Sequence, residues 1–191
     1  MAYPPQRLNA PDPATYSARQ QEIHDEIASG PRGGVRGPLA VWLHRPELAA
    51  KAQDLGKYCR YGTTLDPALS ELAIMVTGKV FGSEYEWQIH KGHALTAGLG
   101  AEVIEAIRLG NTPDFPNREQ EMVYKVSLAA HTDRRLSNAL YAEAVAVLGE
   151  QRMVDLVGML GYYTLISLTI NIFDIPPMGE APIREVSHDD A

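Results

Sequence analysis

The chain has 191 residues, of which 45% are hydrophobic and 21% charged, and a formal net charge of −7 at pH 7. These values are typical of one ordinary globular domain with a sizeable core, and an acidic balance without a basic stripe argues against nucleic-acid binding. Cys59 is the single cysteine, which excludes an intramolecular disulfide, and the N-terminus lacks an apolar export signal, so we expect a cytoplasmic protein.

The spacing of apolar residues predicts helices along nearly the whole chain, and no segment shows the alternation typical of a strand. The predicted fold class is therefore all-α. We expect an extended or disordered arm at residues 1–13, a single helical domain at 14–176 and a tail at 177–191. In chain order the predicted helices span 14–28, 39–44, 46 to about 61, 67–81, 83 to the glycines at 98–100, 102–109, 117 to about 131, 137–148 and 151–173.

Glycines, prolines and capping residues separate these helices. Residues 32–38 hold three glycines and a proline, so they are predicted to form a loop. Asp66-Pro67 combines a capping residue with a proline at the first helical position, which starts the helix to Phe81. Asn117 with Gln120 resembles a capping box that opens the helix to about residue 131.

The last helix holds an uncharged run long enough to raise the question of a membrane span. Residues 156–173 carry no charge, which is close to the length of a spanning helix. The run nevertheless contains two tyrosines, two threonines, a serine and an asparagine, and acidic Asp155 and Asp174 flank it. Spanning helices usually have fewer polar groups and basic flanks on one side. We therefore predict a buried helix, at the core or at a subunit interface, and no membrane partner.

The candidate chemistry lies in the segment 83–93 together with one upstream glutamate. Glu86 and His90 are four residues apart, so a helix places them on one face within reach of each other, and His93 extends the same stripe. Glu71 is the only charge in the apolar segment 69–78, where a lone carboxylate has either a raised pKa or a partner. Two carboxylates and two imidazoles on adjoining helices are the ingredients of an acid–base site.

Each of these residues also has an alternative role. Ser83 and Glu86 have the spacing of a capping box, in which Glu86 would only return a hydrogen bond to the helix start. Glu86, His90 and His93 could instead form a metal site of two histidines and one carboxylate. Cys59 is interpreted as an inert buried thiol, because a lone cysteine has no resolving partner.

The motif resembles a known family. The order of Glu71, Ser83, Glu86 and His90 along the chain is similar to that of the carboxymuconolactone decarboxylase/alkylhydroperoxidase D (AhpD-like) family. The segment Glu84-Tyr85-Glu86-Trp87-x-x-His90 resembles the cysteine-free members of that family. The resemblance covers about residues 38–176. It implies an AhpD-like all-helical domain that assembles into homo-oligomers, most simply trimers or larger rings built from trimers.

The chain departs from the peroxidase branch of that family at the redox motif. In that branch a glutamate is followed by Cys-x-x-Cys-x-x-x-His; Glu71 matches the glutamate and His90 the histidine, whereas Ser83 and Glu86 occupy the cysteine positions. Peroxide reduction needs a thiolate and a resolving thiol, so thiol peroxidase activity is not expected. The decarboxylase branch acts without a cofactor on a lactone acid of aromatic catabolism, and the exchange of a cysteine for a glutamate suits proton transfer.

We therefore predict a decarboxylase-like lyase that uses no cofactor and no metal and acts on a small carboxylated lactone or a related ring. Glu71, Glu86 and His90 are the candidate catalytic residues. The imidazolium would donate to a developing enolate oxygen while a protonated glutamate delivers a proton to carbon. The alternatives are the metal-dependent enzyme and a helical oligomer that binds a small molecule without turnover.

Further residues are expected to contact the small-molecule substrate. The candidate substrate-binding residues are Tyr85, Trp87 and His93. An anionic substrate requires a basic residue in the pocket, and the candidates for that role are Arg36, Lys79 and Lys91.

Overall fold

Helices account for all the regular structure in the part of the chain that the computed structural model describes, which comprises residues 3–31, 33–179 and 183. After a short 3₁₀ turn at Pro13–Thr15, the helices are α1 (Ala18–Ser29), α2 (Pro38–Trp42), α3 (Pro46–Tyr61), α4 (Pro67–Phe81), α5 (Glu84–Thr96), α6 (Ala101–Leu109), α7 (Arg118–Thr132), α8 (Asn138–Leu148) and α9 (Glu150–Ile172). No strand occurs among these residues, and the all-α prediction is confirmed.

Capping explains where the helices begin. α1 starts four residues later than predicted, because Ser17 and Gln20 form a reciprocal capping box that fixes its first turn. The side chain of Asn117 accepts a hydrogen bond from the backbone N–H of Gln120 and so opens α7 as predicted. Asp66 precedes α4, but its side chain makes no capping hydrogen bond, and the proline at the first helical position remains the start signal.

Helix α4 lies at the centre of the fold. It packs against α5, α6, α7 and α9, and every residue from 69 to 78 is buried. A helix that is buried all round must satisfy its polar side chains internally. Thr77 does so by donating to the carbonyl oxygen of Ala73 at 2.8 Å, while His131 of α7 contacts the same hydroxyl at 2.9 Å. Glu71 is the charged residue of this buried stretch.

A carboxylate clamp fixes α9 beside α3. The hydroxyl of Tyr58 donates to Asp155 Oδ1 at 2.5 Å, and both the backbone N–H and the hydroxyl of Thr64 donate to Asp155 Oδ2 at 2.7 Å. These hydrogen bonds to the ionised form hold the pKa of Asp155 below its usual range, although burial opposes the shift. The clamp fixes the register in which α9 passes the end of α3 and the start of α4.

The segment before α1 is anchored at the end of α9. The backbone N–H of Arg7 donates to the carbonyl oxygen of Phe173, and its guanidinium donates to the carbonyl of Ile172 and pairs with Asp174 at 2.5 Å. The division into an arm, a domain and a tail stays a prediction. Residues 180–182 and 184–191, most of the predicted tail, lie outside the described residues.

Helix α9 buries one face and leaves an apolar stripe on the other. Among the described helices it is the one long and apolar enough to cross a membrane, yet 61% of its most apolar window is buried inside the fold. The exposed stripe repeats at helical spacing and comprises Val154, Val157, Leu165, Leu168 and Ile172. Gly158 and Gly161 lie on the same face, and a Cβ at either position would contact nothing within 4 Å. No packing among the residues that the structure describes therefore accounts for this stripe.

We expect this α9 stripe to be covered by another copy of the chain in a homo-oligomer, most simply a trimer. Val157→Glu places a charge in the middle of the stripe and should shift the assembly toward protomers, because burying an unpaired charge is costly. Leu109→Glu changes an exposed leucine of α6 and is the matched control. Light scattering at micromolar concentration measures the mass; a monomeric unmodified protein would contradict the expectation.

Candidate active site

His90 lies between two carboxylates contributed by two helices. Its Nδ1 is 2.6 Å from Glu71 Oε2, which comes from α4, and its Nε2 is 2.9 Å from Glu86 Oε1, one turn earlier on α5. All three residues are buried, with His90 exposed to 2%, Glu86 to 5% and Glu71 to 8%. The structure thus brings together the three residues that sequence spacing and family resemblance had selected as catalytic.

Glu86 does not act as a helix cap. The side chain of Ser83 accepts no hydrogen bond from the first turn of α5, and its hydroxyl has no partner among the described residues. The carboxylate of Glu86 turns toward His90 instead of returning to the helix start. The capping alternative therefore does not describe this residue, and its contact with the imidazole is the interaction to explain.

The two carboxylates favour the charged form of the histidine. Burial lowers the pKa of His90, but the negative charge of Glu86 and the hydrogen bonds to Glu71 and Glu86 outweigh burial and raise it overall. With both ring nitrogens protonated, each N–H donates to one carboxylate. Because Glu71 also fixes the orientation of the ring, the proton between Nε2 and Glu86 is the one placed for transfer.

A guanidinium completes this buried group. Nη1 of Arg60, at the end of α3, lies 3.3 Å from His90 Nε2. The side chain of Arg60 is half-buried, and its cationic carbon stands 5.7 Å from the ring centre of Tyr61. Burial opposes the charge of Arg60, but the neighbouring tyrosines and Glu71 more than compensate, so its pKa is raised. Arg60 therefore remains a cation beside the imidazole.

The group faces a cavity of about 310 Å³, which is large enough for a small organic molecule. Helices α2, α3, α5 and α9, the loop before α2 and the segment after α9 form its walls. The residues that line it are Pro31, Gly34, Arg36, Pro38, Leu39, Arg60, Tyr61, Tyr85, Glu86, Ile89, His90, His93, Tyr162, Tyr163, Ile166 and Met178. The lining combines apolar and aromatic surface with a few polar groups, as ligand sites do.

Phenols surround the imidazole without adding charge. The ring of Tyr163 stands edge-on to His90 with 5.2 Å between ring centres, and Tyr162 packs edge-on to Tyr163 in turn. Burial and the charge of Glu86 raise the pKa of Tyr163 well above its ordinary value. The pKa of Tyr85 is also raised, mainly by burial. Both phenols therefore remain neutral hydroxyl groups at the cavity.

The predicted substrate-binding residues divide between cavity and core. Tyr85 and His93 line the cavity, whereas Trp87 is 1% exposed, packs in the core and is not part of the lining. The reason is helical geometry, because Trp87 points away from the face of α5 that carries Tyr85, Glu86 and His90. Placing Trp87 at the substrate is therefore not supported by its position.

The structure also separates the basic residues named as candidates for anion binding. Arg36 lines the cavity from the loop before α2, whereas Lys79 and Lys91 do not. Sequence reasoning did not select Arg60, Tyr162 or Tyr163 as site residues. Arg60 carries no local signal, because it reaches His90 from thirty positions away along the chain. The adjacent tyrosines in the apolar helix α9 were the available signal for the aromatic wall.

The arrangement does not support the metal alternative. Both nitrogens of His90 are already engaged by carboxylates, so the ring offers no free lone pair to a cation. Within the described ranges, no three His, Cys, Asp or Glu side chains are grouped so that they could hold a metal ion. Burial and the positive charges of Arg60 and His90 lower the pKa of His93, which lies 5.7 Å from His90 between ring centres.

Comparison with known proteins supports the fold and not a particular activity. No family model and no curated protein matches the chain. The debrominase Bmp8, solved as a cysteine-to-alanine variant in complex with 2,3,4-tribromopyrrole, is 13% identical, with a TM-score of 0.73 over 95% of this chain and 96% of that one. An uncharacterized peroxidase-related protein from Ralstonia eutropha JMP134, described as an alkylhydroperoxidase AhpD core, is 14% identical, with a TM-score of 0.65 over 92% and 94%. The chain therefore has the predicted AhpD-like fold.

The raised pKa of His90 predicts how stability depends on pH. A histidine whose pKa is higher in the folded than in the unfolded state stabilises the folded protein. This contribution is complete below the unfolded-state pKa, about 6.5, and is lost as the pH rises through the folded-state pKa. The free energy of unfolding in urea should therefore fall above about pH 6.5, by about 1.4 kcal/mol for each unit of elevation. Glu71→Gln removes one of the two supporting charges and should reduce this fall.

Glu84→Gln is the matched control, because Glu84 is a buried carboxylate of α5 that accepts from the backbone N–H of Ile183 and not from His90. It should keep the pH dependence of the unmodified protein. An equal fall in Glu71→Gln and the unmodified protein, or a rise in stability over this range, would show that the carboxylates do not hold His90 in its charged form.

Proposed function

We propose that this chain is a cofactor-free acid–base enzyme of the decarboxylase type, acting on a small carboxylated lactone or a related ring. The observation that carries the proposal is the position of His90, which is bound by a carboxylate at each nitrogen and lies at the wall of a cavity of about 310 Å³. The AhpD-like fold supports an enzyme in general terms, and the lactone substrate comes from the sequence resemblance alone.

Decarboxylation requires the protein to stabilise an enolate oxygen and to protonate a carbon. Loss of carbon dioxide from the substrate carboxylate leaves its electron pair in the ring as an enolate, which must be stabilised at oxygen and protonated at carbon. Glu86 lines the cavity and contacts His90, so it is the group placed to deliver the proton to carbon. His90 holds Glu86 from Nε2 and Glu71 holds the ring from Nδ1, and one proton from solvent restores the Glu86–His90 pair in each turnover.

The donor to the enolate oxygen differs from the sequence expectation. Both N–H groups of the His90 imidazolium are directed at carboxylates, so direct donation to the substrate would require breaking one of these contacts. Arg60 is a permanent cation in the same wall and presents five N–H donors on its guanidinium. We therefore assign stabilisation of the oxygen to Arg60 and proton transfer to the Glu86–His90 pair.

The catalytic prediction concerns Glu86 and His90. A panel of small carboxylated lactones, followed by loss of ring absorbance and release of carbon dioxide, identifies the substrate. On that substrate Glu86→Gln keeps the shape of the side chain but cannot transfer a proton, so turnover should drop by about a hundredfold or more, and His90→Asn should behave likewise. His93→Asn should cause a much smaller loss.

Glu84→Gln serves again as the carboxylate control on the same helix and should retain turnover. Thermal unfolding of each variant shows whether the fold is intact. Near-normal turnover in both Glu86→Gln and His90→Asn would remove this mechanism. Binding without turnover across the whole panel would favour the non-catalytic small-molecule binder.

The thiol is expected to have no part in the reaction. Cys59 is fully buried and does not line the cavity, so it is out of reach of a substrate bound there. Cys59→Ser should leave turnover nearly unchanged, and the protein should show no dithiol-dependent peroxidase activity. Peroxide reduction with a thioredoxin-like donor would contradict the assignment of Glu86 as a proton-transfer group in place of a redox cysteine.

A further inference from the structure

The four polar side chains at the cavity wall balance one another in charge. Glu71 and Glu86 each contribute a carboxylate, His90 contributes an imidazolium bound to both, and Arg60 contributes a guanidinium 3.3 Å from the ring. Two negative and two positive charges sum to zero. Within the part of the chain that the structure describes, no carboxylate lies within ion-pair distance of Arg60 itself, so the balance is reached through the histidine.

The other groups that face this cluster do not change the balance. Arg36 is a cation, but it lies at the exposed rim of the cavity. The pKa of His93 is lowered, so it is neutral at neutral pH, and the phenols of Tyr85 and Tyr163 are uncharged. The titratable and charged neighbours are Tyr61 from α3, Tyr85 and His93 from α5, Tyr162 and Tyr163 from α9, and Arg36 from the loop before α2.

Arg60 has donors to spare in this arrangement. When His90 Nε2 carries a proton, that proton is directed at Glu86, and the 3.3 Å contact with Arg60 joins two donors and is not a hydrogen bond. Among the described side chains the guanidinium therefore has no carboxylate acceptor; the neutral Tyr163 hydroxyl is its neighbour, and the guanidinium lines the cavity. A planar carboxylate is the acceptor whose geometry matches a guanidinium best.

We propose that Arg60 is an anion-binding subsite for a planar carboxylate, and that an anion bound there draws one proton from solvent onto Glu86. An added negative charge would leave this largely buried cluster with an uncompensated charge, which protein interiors disfavour strongly. Uptake of one proton restores neutrality. Glu86 receives it because Glu86 lines the cavity, whereas Glu71 does not and is held on Nδ1.

This inference rests on the proposed function and adds the order of events. Decarboxylation of a carboxylate and protonation at carbon together consume one proton in each turnover. In this scheme the proton arrives with the substrate, so Glu86 is already a carboxylic acid when carbon dioxide leaves. Transfer of that proton to carbon gives the neutral product and returns Glu86 to a carboxylate, which restores the neutral resting cluster.

Isothermal titration calorimetry with benzoate as an unreactive planar anion tests the inference. Titrations at neutral pH in HEPES and in Tris, which differ in ionisation enthalpy, give the number of protons taken up on binding. The unmodified protein should take up about one proton per benzoate bound, whereas neutral benzamide should bring none. Glu86→Gln should still bind benzoate but without proton uptake.

Arg60→Met should weaken benzoate binding by about tenfold or more, because the guanidinium is the proposed donor to the bound carboxylate. Arg45→Met is the matched control, since Arg45 is an exposed arginine with no ion pair among the described residues and does not line the cavity. It should bind benzoate as the unmodified protein does. The comparison of benzoate with benzamide on the unmodified protein decides the question even if Arg60→Met fails to fold.

The inference would be overturned if benzoate did not bind, or if it bound without proton uptake. It would also be overturned if proton uptake persisted in Glu86→Gln, or if a folded Arg60→Met bound benzoate with unchanged affinity. These measurements involve no turnover. A negative calorimetry result would therefore contradict proton-coupled binding but not the acid–base mechanism, which the turnover of Glu86→Gln tests. A negative turnover result would contradict the mechanism but not proton-coupled binding.

Discussion

The contact between Glu71 and His90 is the constraint on which the rest of this site depends. Helix α4 is buried all round, so a carboxylate there requires a charged or hydrogen-bonded partner, and the 2.6 Å contact to His90 of α5 supplies it. That contact fixes the orientation of the imidazole and directs Nε2 toward Glu86. Burial alone would make the histidine neutral; the two carboxylates reverse that preference. The resulting pair of Glu86 and charged His90 lies beside a cavity that is large enough for a small molecule.

Helix α9 separates the site from the proposed assembly surface. One face carries Tyr162 and Tyr163 to the cavity, and the clamp on Asp155 fixes their position. The opposite face carries the apolar stripe and the two exposed glycines. Changes to the stripe are therefore expected to alter assembly without removing a residue of the cavity wall.

The sequence predicted the features that depend on residues close together in the chain. Helical spacing placed Glu86 beside His90, and capping residues and prolines located most helix starts to within one or two residues. The pairing of Glu71 with His90 came from the family resemblance, since no local pattern relates two helices. Arg60 was missed for the same reason. The serine-to-glutamate spacing at Ser83 imitates a capping box, and only the structure shows that the imidazole competes successfully for the carboxylate.

The protonation state of His90 tests the account most directly, because both the proposed chemistry and the proposed charge balance require an imidazolium. Nitrogen-15 NMR of protein labelled at histidine, with His90→Asn used to assign its signals, reports the two ring nitrogens separately. We expect both nitrogens of His90 to carry protons at neutral pH, in contrast to the ring of His93. A neutral His90 ring with one unprotonated nitrogen at neutral pH would contradict the account.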